Sequence, residues 1–324
     1  MNLATLSAAT PRMARHLWAV LLAGGDGIRL RDLTVRIAGD NRPKQFCPII
    51  GSESLLSQTR ARLNPLFSGD RQVFVVSCAH ERYYSNELAD AKDSLVIAQP
   101  MNRGTAIAII VALVRIMQDD PDAVVGLFPC DHYYSDDESF RSSVTSAALG
   151  ADRFPQSLVI VGAEAEYAET EYGWIEPGPT VLQTQAAPLC RVNRFWEKPA
   201  LPEARALLQS GCLWNTFVTV GSAVTFLELL CSEIPEVVLS LTRALAENEL
   251  ASTYARLPKV DFSGDILANQ ANRLLVLRDS GSGWADLGSP DRVLGLFAKN
   301  INQPALARQP HSSLQPVPTL RELL

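Results

Sequence analysis

The chain has 324 residues, 47% of them hydrophobic and 20% charged, with a formal net charge of −6. That length and balance describe an ordinary soluble globular protein of one or two domains with a sizeable core. The acidic balance leaves no basic footprint for nucleic acid, and no apolar run reaches the length of a membrane span.

Residues 1–13 are expected to form a loose leader. Arg12 and Arg15 precede an apolar stretch in the manner of a signal peptide, but it runs on without a cleavage pattern. Leu17 to Leu22 predicts a buried strand and leads into Ala23-Gly24-Gly25-Asp26-Gly27-Ile28-Arg29-Leu30. Glycines just beyond a strand let backbone N–H groups approach an anion without Cβ obstruction, although a plain strand-to-helix turn reads the same way. A dinucleotide fingerprint needs a further glycine, and a P-loop needs Gly-Lys-Ser/Thr; neither is present. What remains is a glycine loop with Arg29 just past it and Lys44 further on, two cations suited to a triphosphate. Leu30 to Arg42, polar and charged with a Gly39-Asp40-Asn41 turn signal, predicts a mobile flap.

Helical spacing predicts a helix over Ser54–Leu63, and Val73 to Ser77 reads as a doubly buried strand. The rhythm continues with a helix over Glu81–Ala91, a strand over Leu95–Ala98, an apolar helix over Thr105–Met117 and a strand over Val124–Phe128. Such alternation predicts an α/β fold with a doubly wound, mostly parallel, Rossmann-like sheet, in which ligands bind beyond the carboxyl ends of the strands. Polar clusters fall at those ends. Gln99-Pro100-Met101-Asn102-Arg103-Gly104-Thr105 opens a helix whose first amides suit an anion or a base edge, beyond the plain role of a cap. Asp131 follows the strand ending at Phe128 and is placed to hold a hard cation. His132 beside it has no second His or Cys nearby for a transition metal, and reads as a hydrogen-bonded structural residue.

From Ser157 the chain becomes β-rich. Leu158–Val161 predicts a strand, and Tyr172–Glu176 and Val192–Pro199 a pair of strands. Glu197-Lys198 alone is as easily a solvated ion pair as part of a pocket. Helices are expected from Ala223 to Ala251 and a late strand over Leu274–Leu277, before Gly283-Trp284-Ala285-Asp286-Leu287-Gly288. Residues 301–324, with Pro304, Pro310, Pro316 and Pro318, predict a flexible tail. The six cysteines are scattered without a Cys-x-x-Cys pair, as in a reduced, cytoplasmic protein.

Taken together, these motifs resemble the sugar-1-phosphate nucleotidyltransferases, whose signature is Gly-Gly-x-Gly-Thr-Arg-Leu followed by Pro-Lys. Pro43-Lys44-Gln45-Phe46 is most similar to the mannose-1-phosphate guanylyltransferase form. The resemblance runs in order from about residue 17 to 298 and departs at Ile28, where the signature has Thr, at Asn102 and Gly104, which rewrite a Gly-Arg-Asn segment, and at Thr216-Phe217, where Ser-Gly is usual. It implies a catalytic domain over 14–300 with an inserted β-rich, sugar-binding part. Ala23, Gly24, Gly25, Gly27, Gln99, Arg103, Gly104 and Thr105 would bind nucleotide. Gly173, Glu197, Lys198 and Asn215 would bind the sugar phosphate, and Asp131 and Asp286 a magnesium ion. Arg29, Lys44 and Lys198 would carry the transfer.

The implied reaction joins a hexose 1-phosphate to a nucleoside triphosphate, with mannose 1-phosphate and GTP the first choice. Glucose 1-phosphate with UTP, dTTP or ATP stays open, and so does a noncatalytic sugar-nucleotide sensor, given Ile28. The partners are small molecules, with neither nucleic acid nor membrane among them. Homo-oligomerisation is left open.

Overall fold

The computed structural model describes residues 16–279 and 281–301. The expected leader and nearly all of the expected tail lie outside the described residues. In chain order the elements are β1 (Leu17–Leu22), α1 (Arg31–Ala38), α2 (Leu55–Leu63), β2 (Gln72–Ser77), α3 (Glu81–Tyr84), β3 (Val96–Gln99), α4 (Thr105–Asp119), β4 (Val124–Pro129) and β5 (His132–Tyr133). There follow α5 (Asp137–Arg153), β6 (Leu158–Glu164), β7 (Gly173–Gln183), β8 (Pro188–Glu197), α6 (Leu201–Gln209) and β9 (Leu213–Ser222). The last are α7 (Ala223–Glu233), α8 (Pro235–Ala246), α9 (Leu250–Tyr254), β10 (Leu274–Arg278), β11 (Ala285–Asp286) and α10 (Pro290–Ile301).

β1 shows why the sheet is covered on both sides. Its side chains alternate, so Trp18 and Val20 enter one core with α4 and α7, while Leu17, Ala19 and Leu21 enter the other with α2 and α5. A strand buried on both faces has no polar side to show, which is why it reads as an unbroken apolar run.

Nine strands form the sheet in the order β3-β2-β1-β4-β9-β6-β10-β8-β7. The first four are parallel, as the alternating pattern predicts. Beyond β4 the sheet is mixed: β9 lies antiparallel between β4 and β6, β10 is parallel to β6, and the antiparallel β7–β8 hairpin follows, with β7 also pairing back onto β9 at Trp174–Trp214 and Ile175–Leu213. The β-rich part is thus the far half of one sheet, joined to the parallel half through β9. A separate two-stranded ribbon pairs β5 with β11, setting Asp286 opposite His132.

Two expectations change. Leu30 to Arg42 contains a helix, α1, in place of a mobile flap. Leu30 and Leu33 drop into a small third core with Cys47, Ile49, Leu55, Leu287 and Val293. Burying one such side chain is worth about 1.5–3 kcal/mol, enough to hold an otherwise polar segment down. The Gly39 turn signal marks the end of that helix, where Gly39 at φ +76° donates its N–H to the Val35 carbonyl. The helix expected over 81–91 is only the single turn of α3. Past it, the Glu87 side chain accepts from Ser54 and its carbonyl accepts from Arg60, which ties the segment sideways to α2 as a series of turns.

Candidate active site

The glycine loop leaves β1 with its backbone pinned from two sides. The N–H of Ala23 donates to the Val75 carbonyl of β2 at 2.8 Å. From the other side the fully buried Gln45 amide donates to the carbonyls of Ala23 and Gly25 at 2.8 and 2.7 Å. In a planar trans peptide the N–H points opposite the carbonyl, so the N–H groups of Gly24 and Asp26 face away from Gln45. Gly27 then begins the short turn Ile28–Leu30. Ile28 stands 67% exposed. Arg29 is also exposed, and ion-pairs with Glu171 at 3.1 Å.

The facing wall is the start of α4. Gly104 sits at φ +89°, and a Cβ there would lie 2.1 Å from the Val260 carbonyl oxygen, so glycine is required by both conformation and space. Its N–H donates to the Asn102 side chain, and the Thr105 hydroxyl accepts from the N–H of Phe262. Between the walls lies a cavity of about 330 Å3 whose lining includes Gly24, Gly25, Gln99, Gly104, Thr105 and Asp131. Arg103, expected beside a base, is turned to other use: it donates to the carbonyls of Tyr254 and Ala255 at 2.8 Å each, fastening α9. A larger hollow of about 520 Å3, lined by Glu236, Arg243, Glu247 and Arg256 among others, shares no residue with the sequence motifs.

At the cavity's end the ribbon brings Asp131 and Asp286 together around one ammonium. Lys44 Nζ lies 3.2 Å from Asp131 Oδ2 and 3.4 Å from Asp286 Oδ1, and donates to the Leu287 carbonyl at 3.0 Å. Burial opposes the Lys44 charge, but the two carboxylates outweigh it and hold the ammonium above its usual range. Burial likewise opposes ionisation of Asp131, and Lys44 more than offsets it, so this carboxyl stays below its ordinary value.

His132 Nε2 stands 3.8 Å from Asp131 Oδ1 and from Asp286 Oδ1. Its Nδ1 is 3.1 Å from Trp284 Nε1. An indole N–H can only donate, so Nδ1 is the acceptor and the proton of the neutral ring sits on Nε2, toward the carboxylates. Burial keeps the ring neutral against those charges. Among the described residues no group of three or more His, Cys, Asp or Glu gathers as a metal cage. Two converging carboxylates nonetheless fit magnesium, which takes most of its ligands from water and phosphate oxygens.

The β-rich half supplies the rest. Gly173 is where Glu197 and Asn215 crowd in: a Cβ there would lie 2.9 Å from Glu197 Oε2 and 3.1 Å from the Asn215 Cβ. Lys198, at φ +48°, pairs with Glu197 at 3.0 Å. Burial pushes the Glu197 carboxyl up, with Lys198 pulling against it. Asn215, expected to read sugar hydroxyls, donates to the Ser263 hydroxyl at 3.2 Å and accepts the Phe217 N–H at 2.9 Å.

The sequence reading passed over two residues here, Glu169 and Arg292. Arg292 Nη1 meets Asp286 Oδ2 at 2.8 Å, and its Nη2 meets Glu169 Oε2 at 2.8 Å. Neither residue belongs to a motif, so no pattern marks them.

A profile of the family described as Nucleotidyl transferase matches residues 18–303. The chain belongs to that family. It is 30% identical over 286 residues to the xanthan biosynthesis protein XanB of Xanthomonas campestris pv. campestris (strain B100), covering 85% of this chain and 58% of that protein. It is 30% identical over 292 residues to a mannose-1-phosphate guanylyltransferase of Sinorhizobium fredii (strain NBRC 101917 / NGR234), covering 84% and 53%. The chain therefore spans a little over half the length of these curated relatives. A crystal structure of a mannose-1-phosphate geranyltransferase from Thermus thermophilus superposes with a TM-score of 0.73 at 28% identity, covering 84% of this chain and 76% of that one. The family's α/β nucleotidyltransferase fold thus carries the glycine loop, the start of α4 and the paired carboxylates described above. Among the described residues no helix is long and apolar enough to cross a membrane.

Proposed function

We propose that the chain transfers a guanylyl group from GTP to mannose 1-phosphate, releasing pyrophosphate. The observation that carries this reading is the single cavity in which Gly24 and Gly25, Gln99, Gly104 and Thr105 come together with Asp131, while Asp131 and Asp286 converge on Lys44. A triphosphate fits along the glycine loop with its base toward Gln99 and Thr105. The sugar phosphate then approaches from Gly173, Glu197, Lys198 and Asn215.

An oxygen of the sugar phosphate attacks the α-phosphorus in line, and the bond to the departing pyrophosphate oxygen breaks. Both reactants are anions, so the protein's work is to align and neutralise them. Lys44, buried against the cavity-lining Asp131, would meet the α-phosphate. Lys198 meets the sugar phosphate, and Arg29, once released from Glu171, meets the pyrophosphate. Asp131 and Asp286 would hold magnesium, which when bound would supply further positive charge at the phosphate oxygens. The free state of all six cysteines goes with a cytoplasmic setting.

A second reading, glucose 1-phosphate with UTP, dTTP or ATP, is favoured by Asn102, which takes the N–H of Gly104 and also reaches Asp26 at 3.3 Å, rewriting the base side of the cavity. The test is pyrophosphate release across a matrix of five nucleotides and several hexose 1-phosphates. Fastest turnover with GTP and mannose 1-phosphate is expected. Another preferred pair supports the second reading, and no release with any pair supports a sensor.

A further inference from the structure

Asp286 is weakly held by its own backbone. It lies in a strand of two residues, paired only with another of two. A carboxylate there can rotate about its last bond, since that torsion is broad. In the structure its two oxygens have separate tasks: Oδ1 faces Lys44, and Oδ2 is taken by Arg292 Nη1 at 2.8 Å.

Arg292 is itself immobilised. Its second nitrogen pairs with Glu169 at 2.8 Å, and its guanidinium lies 4.4 Å from the centroid of the Tyr172 ring. The Arg292 and Glu169 side chains are only 15% and 13% exposed. Glu169 is anchored in turn, its Oε1 accepting the Glu171 N–H at 2.9 Å and its carbonyl accepting the Trp174 indole N–H at 2.8 Å. A planar fork between two carboxylates fixes the orientation of both, which a lysine could not do.

We propose that Arg292, braced by Glu169, is a positioning residue that sets the Asp286 carboxylate so that Oδ1 alone faces the site. The proposal rests on the reading of Asp286 as a cation-holding carboxylate. Partners that orient a metal ligand characteristically govern metal affinity by about 10–100-fold.

The test is Mn2+ binding to the full chain, followed by the electron paramagnetic resonance signal of the free ion, in wild type and in Arg292→Met, Arg292→Lys, Glu169→Gln and Asp286→Asn. Thermal melting runs alongside. Arg292→Met is expected to raise the Mn2+ Kd about tenfold or more, Glu169→Gln about threefold, and Arg292→Lys by an amount between these. A lowered melting temperature with unchanged Mn2+ affinity in the Arg292 variants would make the residue a structural strut and overturn the proposal. Should Arg292→Met fail to fold, Arg292→Lys carries the same comparison. If wild type and Asp286→Asn bind Mn2+ alike, the cation-holding role of Asp286 is wrong, and the proposal falls with it. An effect of Asp286→Asn without one of Arg292→Met or Arg292→Lys overturns the positioning role alone.

Discussion

Asp131 and Asp286 come from opposite halves of the sequence, and both lie within 3.4 Å of one lysine nitrogen. Replacing either with asparagine keeps the shape and removes a charge, so Asp131→Asn and Asp286→Asn are each expected to lower turnover by about two to three orders of magnitude. Near-normal steady-state rates in both variants, with unchanged circular dichroism, would contradict the role. Ile28 is a contrasting case. Its side chain is 67% exposed and does not line the cavity, so the hydroxyl lost relative to the family signature lies toward solvent. Ile28→Thr is therefore expected to change the nucleotide KM severalfold at most, and a larger gain would show that the loop closes over the triphosphate. Phe217 stands where the signature has glycine, yet its φ is +68°. The left-handed backbone of that position is kept by an aromatic residue at a cost of about 1–2 kcal/mol, with the Asn215 side chain accepting its N–H.

At the scale of elements, the end of the sheet opposite the cavity is held by Asp120, just after α4. It accepts from Trp18 Nε1 at 2.8 Å, lies 2.7 Å from His16 Nδ1 and pairs with Arg71 at 3.0 Å, so it joins β1, the turn before β2 and α4. Burial works to raise this carboxyl, but the three partners win, and its value falls below the ordinary 3.8. A depressed carboxyl contributes stability above the unfolded value and loses it as pH falls through the folded one. Asp120→Asn should thus cost about 1.5–3 kcal/mol at pH 7, and the gap from wild type should narrow as pH drops below about 4. Urea denaturation at pH 7 and pH 3 measures both; a gap that stays constant would mean that shape, not charge, is what matters.

None of that cluster is legible in the sequence, since His16, Trp18, Arg71 and Asp120 carry no shared spacing. The strands are legible because double burial leaves runs such as Leu17–Leu22 and residues 73–76 without a polar residue. The segment at 30–42 misleads because two of the core partners of Leu30 and Leu33, Leu287 and Val293, lie some 260 residues away. The partners of Arg103 are invisible for a similar reason: its acceptors are carbonyls of α9 and the residue after it, and backbone acceptors leave no trace in a sequence.

For the whole molecule, one sheet with two halves means that two substrates should report separately. The glycine loop and the start of α4 belong to the parallel half, β3-β2-β1-β4, while Gly173, Glu197 and Asn215 belong to β7, β8 and β9. Local backbone openings are suppressed where a ligand binds, and hydrogen exchange reads that suppression segment by segment. GTP with magnesium should therefore slow exchange in residues 22–30 and 99–106 and leave residues 171–176 and 194–198 nearly unchanged, whereas mannose 1-phosphate should do the reverse. Both together should also protect residues 284–288, because Asp286 sits between Lys44 and the Arg292–Glu169 pair, where the two phosphates would meet in the proposed reaction. Protection of the β7–β8 hairpin by GTP alone would mean that the two subsites have been assigned to the wrong halves of the sheet.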